Sequence, residues 1–137
     1  MPSLASFDHL GIAVRDLDAA SRFYAELGIQ EGGREVIAHE QVRVALLPLA
    51  GGARLELLAP TAPESPVGRF LARHGEGLHH CALRVRDLAG TMARLKAAGA
   101  RLVSEEIQVG AGGQRYIFVH PASAGGVLLE LIEDETS

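Results

Sequence analysis

The chain has 137 residues, of which 47% are hydrophobic and 22% charged, so it fits one globular domain with a substantial core. Its formal net charge of −4 argues against a nucleic acid or an anionic membrane as a partner. It has no apolar run long enough to cross a membrane and no signal-peptide pattern, and its single cysteine excludes an intrachain disulfide. We therefore expect a cytoplasmic protein.

The first sixty residues predict a β-α-β-β-β module. Residues 7–14 alternate as a strand, and an amphipathic helix follows from Asp16 to Leu27, with Gly28 as its stop. Three further strands are predicted at Glu35–His39, Gln41–Leu47 and Ala53–Leu58. A linker helix is expected within residues 61–76, because Ser65 followed by proline is a typical helix start.

The rest of the chain repeats this order of elements. A strand is predicted at Leu78–Val85 and a helix at Asp87–Ala98. Strands are then expected near Arg101–Ser104, Arg115–His120 and Val127–Ile132. The prediction is an α+β protein, in which two tandem β-α-β-β-β modules form a curved mixed sheet around a metal-binding cavity. We expect a single domain over residues 1–137, with module one at about 6–60, the linker at about 61–76 and module two at about 77–134.

The two modules also match residue by residue. FDHLGIAVRDL (7–17) aligns without a gap with the stretch at 78–88, at an offset of 71 that places His9 on His80. RLELL (54–58) matches LLELI (128–132) at an offset of 74, which places Glu56 on Glu130. Each half therefore brings one histidine early and one glutamate late.

Strand alternation assigns the histidines to faces of the sheet. His9 shares a face with Gly11 and Ala13, two small residues, as expected if this face of the strand leaves space for another group. By the same alternation His80 points into the expected cavity, whereas His79 points the other way and is expected to be structural or to support a metal ligand. Cys81, on the apolar face, is interpreted as a small core residue and not as a nucleophile.

The four repeated residues predict a shared metal site. Glu56 and Glu130 are isolated carboxylates inside apolar strands, where a buried carboxylate needs a cation or a partner. Together with His9 and His80 they form a set of two imidazoles and two carboxylates. Such a set favours a divalent ion of intermediate hardness, such as cobalt, nickel, manganese, zinc or iron, over calcium or magnesium. Four protein ligands leave two positions of an octahedron open for water or substrate oxygens. This arrangement suits Lewis-acid catalysis at a carbonyl oxygen.

This pattern resembles the vicinal oxygen chelate superfamily, which includes glyoxalase I and the bleomycin resistance and dioxygenase proteins. Within it, the chain is similar to the methylmalonyl-CoA epimerase family over nearly its whole length. The segments that carry this similarity are DHLGIAV (8–14), ELLAP (56–60), SPVGRFL (65–71), GEGLHHCALRV (75–85) and HPASAGGVLLEL (120–131).

The resemblance implies a glyoxalase-like fold, a divalent metal and an acyl-CoA substrate. His9, His80 and Glu130 would be ligands, with Glu56 at the fourth position, where some epimerases carry glutamine. The implied reaction interconverts the two epimers of methylmalonyl-CoA by proton transfer through a metal-stabilised enolate. A carboxylate proposed as one base in some relatives is missing near Arg43 and Val44. Glu130 is therefore the first candidate for a proton-transfer group, and Glu56 is a weaker second.

Other functions remain open at this point. A glyoxalase-I-like isomerase of a thiol adduct would use the same ligand order, and it is the runner-up. A ring-cleaving dioxygenase is less favoured, because its iron site uses two histidines and one carboxylate. A metal-free binding protein would lack the full ligand set. By analogy with paired-module folds, we expect a homodimer.

Overall fold

The computed structural model describes residues 5–134, and residues 1–4 and 135–137 lie outside this description. The described residues group into two compact units. The N-terminal unit is formed by residues 9–79, and the C-terminal unit by residues 5–8 together with 80–134.

The N-terminal unit is a four-stranded mixed sheet with helices. Its strands lie in the order β2-β3-β4-β1, in which β1 and β4 are parallel and the other pairs antiparallel. The elements are β1 (Ala5–Ala13, in this unit from His9 onward), α1 (Leu17–Ala25), β2 (Gly33–Ile37), β3 (Val42–Pro48), β4 (Arg54–Pro60) and α2 (Pro66–His74).

Helix α1 covers one face of this sheet. The Asp16 side chain caps the helix by accepting hydrogen bonds from the backbone N–H groups of Asp18 and Ala19. Leu17, in its first turn, packs with Leu47 and Leu57 of the sheet. Positions 12 and 14 lie on this face, as the strand alternation predicted.

Helix α2 covers the opposite face. It begins after Ser65, a fully buried cap whose hydroxyl accepts a hydrogen bond from Gly68 N–H. Val67 and Leu71 then pack in one cluster with Ala13, Val42, Val44 and Leu58. The small side chain of Ala13 thus leaves space on this face of the strand, and helix α2 fills that space.

The C-terminal unit repeats the arrangement with shorter strands. Its elements are β5 (Gly77–Val85, in this unit from His80 onward), α3 (Leu88–Ala97), β6 (Gln108–Val109), β7 (Arg115–Val119) and β8 (Leu129–Glu133). The order is β5-β8-β7-β6, with β5 and β8 parallel. The strand predicted near 101–104 is reduced to one bridge between Leu102 and Val119.

The core of this unit matches the first at equivalent positions. Leu88 and Met92 of α3 pack on Val85, Ile117 and Leu131. Val85, Leu88 and Leu131 correspond in the repeat to Val14, Leu17 and Leu57, which build the core under α1. The α+β class is confirmed, whereas the single-domain assignment stays a prediction. No helix within residues 5–134 is long and apolar enough to span a membrane.

Candidate metal centre

The strand register places each predicted glutamate opposite a very small residue. In the parallel pair of β1 and β4, Gly11 lies opposite Glu56. In the parallel pair of β5 and β8, Ala82 lies opposite Glu130. In each case the predicted histidine stands two residues before the small residue, on the same face of the strand. The repeat detected in the sequence is thus also a repeat of the register.

His9 and Glu56 form a buried pair in the N-terminal unit. The distance from His9 Nδ1 to Glu56 Oε2 is 3.4 Å, and both side chains are almost fully buried. Arg54, which lies opposite His9 in the register, donates hydrogen bonds to the same carboxylate oxygen. The sequence analysis did not assign this arginine a role, although its position two residues before Glu56 places both on one face.

His80 and Glu130 form the equivalent pair in the C-terminal unit. His80 Nε2 lies 3.1 Å from Glu130 Oε1, and both side chains are largely buried. Phe118 lies opposite Glu130 in the register, and its ring contacts the His80 imidazole edge to face, with centroids 5.4 Å apart. Phe118 therefore restricts the orientation of the imidazole.

Each pair has the chemistry and spacing of two ligands of one cation. An imidazole nitrogen and a carboxylate oxygen bind intermediate divalent ions at about 2.0–2.2 Å, so neighbouring ligand atoms lie about 3 Å apart. The observed separations of 3.4 and 3.1 Å are close to this value. Burial of a carboxylate beside an imidazole also fits a cation, which would offset the loss of solvation.

The other side chains of β5 have different surroundings. His79 packs edge to face against Phe70 of α2, with centroids 5.0 Å apart, in keeping with its predicted structural role. Burial raises the pKa of the Cys81 thiol, which disfavours the nucleophilic thiolate. Arg84 forms an ion pair with Asp8, whose side chain is only 1% exposed.

Arg43 and Val44 occupy the two strand positions at which the family resemblance would place a carboxylate base. Arg43 is exposed and Val44 is buried in the sheet. The nearest acidic residue in sequence is Glu40, at the end of a 3-10 turn, with its Oε1 atom 3.7 Å from His39 Nε2. Gln41, which follows, has a φ of 52°, and it is the one non-glycine residue with positive φ within residues 5–134.

Comparison with known families identifies the class of protein. A model of the Glyoxalase/Bleomycin resistance protein/Dioxygenase superfamily matches residues 8–118. This match covers most of the chain, including His9, Glu56 and His80. The chain therefore belongs to this superfamily, and the glyoxalase-like fold is confirmed.

Within the superfamily, the chain is similar to methylmalonyl-CoA epimerases. The human mitochondrial enzyme is 37% identical over 131 residues, which cover 94% of this chain and 74% of the relative. An ethylmalonyl-CoA/methylmalonyl-CoA epimerase of Cereibacter sphaeroides is 36% identical over 93% of this chain and 97% of its own length. The crystal structure of methylmalonyl-CoA epimerase from Mycobacterium tuberculosis has a TM-score of 0.91 at 40% identity, and covers 97% of this chain and 91% of that one.

Proposed function

We propose that the protein is a metal-dependent epimerase that interconverts the two epimers of methylmalonyl-CoA. The observation that carries this proposal is the pair of buried His–Glu contacts, at matching registers in two modules of a chain similar to such enzymes. His9, Glu56, His80 and Glu130 are proposed to hold one divalent ion. Cobalt is the first candidate, and nickel, manganese, zinc and iron are the others.

The ion, when bound, supplies Lewis-acid stabilisation of the negative charge that develops on the thioester oxygen as the α-proton leaves. The proton lies on the carbon between the thioester carbonyl and the carboxylate. Its removal leaves the electron pair of the C–H bond delocalised into the carbonyl group. Return of a proton to the opposite face of this carbon gives the other epimer.

The proton-transfer groups are proposed to be carboxylates of this chain. Glu130 is the first candidate, because it combines a position beside His80 with a side chain that is 12% exposed, which leaves an edge for the substrate. Glu56 is the weaker candidate, since its Oε2 atom accepts hydrogen bonds from Arg54.

Three further properties belong to the proposal. The substrate is an acyl-CoA, and an ethylmalonyl group is the main alternative to methylmalonyl, since one relative is named for both. The protein is proposed to act in the cytoplasm and as a homodimer. Neither nucleic acid nor membrane is expected as a partner, given the net charge of −4.

The alternative activity is a glyoxalase-I-like isomerisation of a thiol adduct of a 2-oxoaldehyde. It would use the same four ligands, so metal binding does not separate the two functions. The direct test supplies the cobalt-loaded protein with one epimer of methylmalonyl-CoA and, in parallel, with the glutathione adduct of methylglyoxal. Conversion of the single epimer to an equal mixture, without formation of a lactoyl thioester, is the expected result. Formation of the lactoyl thioester alone would replace the epimerase proposal by the alternative.

A further inference from the structure

Arg54 adds a positive charge to the His9–Glu56 pair. Its Nε and Nη2 atoms lie 2.8 and 2.7 Å from Oε2 of Glu56. His9 Nδ1 lies 3.4 Å from the same oxygen. These three contacts are all made by Oε2, on the sheet face shared by Arg54 and His9.

The contact between Arg54 and Glu56 is largely withdrawn from water. The Glu56 side chain is 8% exposed and the Arg54 side chain 20% exposed. A carboxylate buried to this extent needs donors or a cation, and the guanidinium supplies both. Together the two side chains carry no net charge.

The second module has no arginine at the matching position. Leu128 precedes Glu130 by two residues, as Arg54 precedes Glu56. The repeat thus preserves both histidines and both glutamates but not this cation. β8 begins at Leu129, one residue after this leucine, and still places Glu130 opposite Ala82, so that pairing forms without an arginine at the matching position.

We propose that Arg54 is a positioning residue that acts through Glu56, by fixing Oε2 and cancelling the charge of this carboxylate. The inference rests on the proposed metal site. A ligand carboxylate attracts a divalent ion but repels an anionic substrate. With Arg54 present, Glu56 serves as a ligand without adding net negative charge, which preserves the attraction for a malonyl thioester.

The test is a double-mutant cycle with two binding readouts that do not depend on turnover. Isothermal titration measures the affinity of the metal-free protein for Co²⁺ and of the cobalt form for malonyl-CoA. Arg54→Leu should bind Co²⁺ on the order of tenfold more tightly and malonyl-CoA more weakly. Glu56→Gln should bind Co²⁺ on the order of tenfold more weakly and malonyl-CoA more tightly. The double variant should lie within about threefold of wild type in both affinities.

Two further variants separate charge from structure. Arg54→Lys keeps the charge without the planar fork, and should stay within about threefold of wild type for Co²⁺. Arg34→Leu removes an exposed arginine that pairs with Asp18 and Glu31, and should leave both affinities unchanged. Circular dichroism and urea unfolding establish that each variant is folded. If Arg54→Leu does not fold, recovery of Co²⁺ affinity in the double variant relative to Glu56→Gln still tests the proposal.

The outcomes distinguish this inference from the proposed function. If wild type binds Co²⁺ and Arg54→Leu binds it more weakly, Arg54 has only a structural role and the inference is overturned alone. The inference would also be overturned if the double variant bound Co²⁺ as weakly as Glu56→Gln does. Absence of Co²⁺ binding by the wild-type protein would overturn both the metal site and this inference.

Discussion

Gly11 and Glu56 are direct partners in the parallel pairing of β1 with β4. Because glycine has no side chain, nothing projects from Gly11 between the carboxylate and His9, which stands two residues earlier on the same face. The second module uses Ala82 opposite Glu130, so a methyl group is compatible with the equivalent geometry.

This relationship predicts different effects for two substitutions at one position. Gly11→Leu should weaken Co²⁺ binding on the order of tenfold or more, because its side chain would occupy the space of the His9–Glu56 contact. Gly11→Ala, the matched control, should change the affinity by less than about threefold. Equal affinities for the leucine variant and wild type, measured by calorimetric titration, would show that this face does not bind the ion.

Glu130→Gln should lower the rate of epimerisation by about 10²–10⁴-fold while the protein still binds metal. The amide retains an oxygen ligand but cannot accept the α-proton. Metal content by atomic absorption and initial rates, each at saturating Co²⁺, are the measurements. Glu31→Gln, which alters a carboxylate paired with Arg34 and Ser21, is the matched control.

Full turnover by Glu130→Gln with metal retained would remove Glu130 as a base. The same experiment on Glu56 tests the second candidate, for which a smaller loss is expected because Arg54 engages its Oε2 atom. If both variants keep full turnover, Glu40 is the next carboxylate to substitute, because it adjoins the strained residue Gln41.

The Asp8–Arg84 ion pair is expected to stabilise the C-terminal unit. Asp8 is 1% exposed, so Arg84→Leu would leave a buried carboxylate without its guanidinium. We expect a loss of about 3 kcal/mol in the free energy of unfolding, the lower end for a broken buried pair because Arg84 is partly exposed. Arg115→Leu removes the partly exposed partner of Glu133 and should cost less than about 1 kcal/mol. Urea unfolding that shows equal losses for both variants would contradict this account.

Cys81 should react slowly with alkylating reagents. Burial raises the pKa of its thiol, so the folded protein holds less thiolate at pH 8 than the unfolded chain does. Alkylation by iodoacetamide should therefore be at least several-fold slower in the native protein than in urea. Cys81→Ala should keep turnover, because no catalytic role is proposed for this thiol. Alkylation at equal rates in the native and the urea-unfolded protein would contradict the raised pKa of the Cys81 thiol.

The same pKa shift gives stability a defined pH dependence. Since the folded state holds its proton to higher pH, the contribution of Cys81 is fully present below the unfolded pKa of about 8.5. It is lost as the pH rises through the folded pKa. Wild type should therefore lose stability in alkaline solution relative to Cys81→Ala, as measured by thermal unfolding from pH 8 upward.

Most helices and strands could be predicted from local periodicity, and the repeat from matching residues, whereas β6 was not predicted and the strand near 101–104 is only a bridge. Strand alternation alone assigns His9 and His80 to their faces, because neighbouring residues of a strand point to opposite faces of the sheet. The contact between Arg54 and Glu56 could also have been predicted, since the two residues are two apart on one strand and share a face. Only the leucines on either side of Glu56 were considered in the sequence.

Other features depend on contacts between distant parts of the chain. Arg84 pairs with Asp8, 76 residues away, and no local sequence pattern predicts such a pair. The packing of α2 on Ala13 is likewise tertiary, so the sequence could not show which element fills the space beside this small residue. The predicted strand near 101–104 forms only one bridge, between Leu102 and Val119, although Val103 N–H donates to Phe118 O and Arg101 O accepts from His120 N–H. Whether the four predicted ligands share one ion stays a prediction.

The most direct test of the proposed function is proton NMR of methylmalonyl-CoA in D₂O with the cobalt-loaded protein. The account predicts rapid loss of the α-proton signal with wild type and none with His80→Ala, whose metal site lacks an imidazole. Glu31→Gln, altered only at the surface, should exchange the proton as fast as wild type. Persistence of the α-proton signal with wild type, while the metal is demonstrably bound, would contradict the proposed epimerase activity.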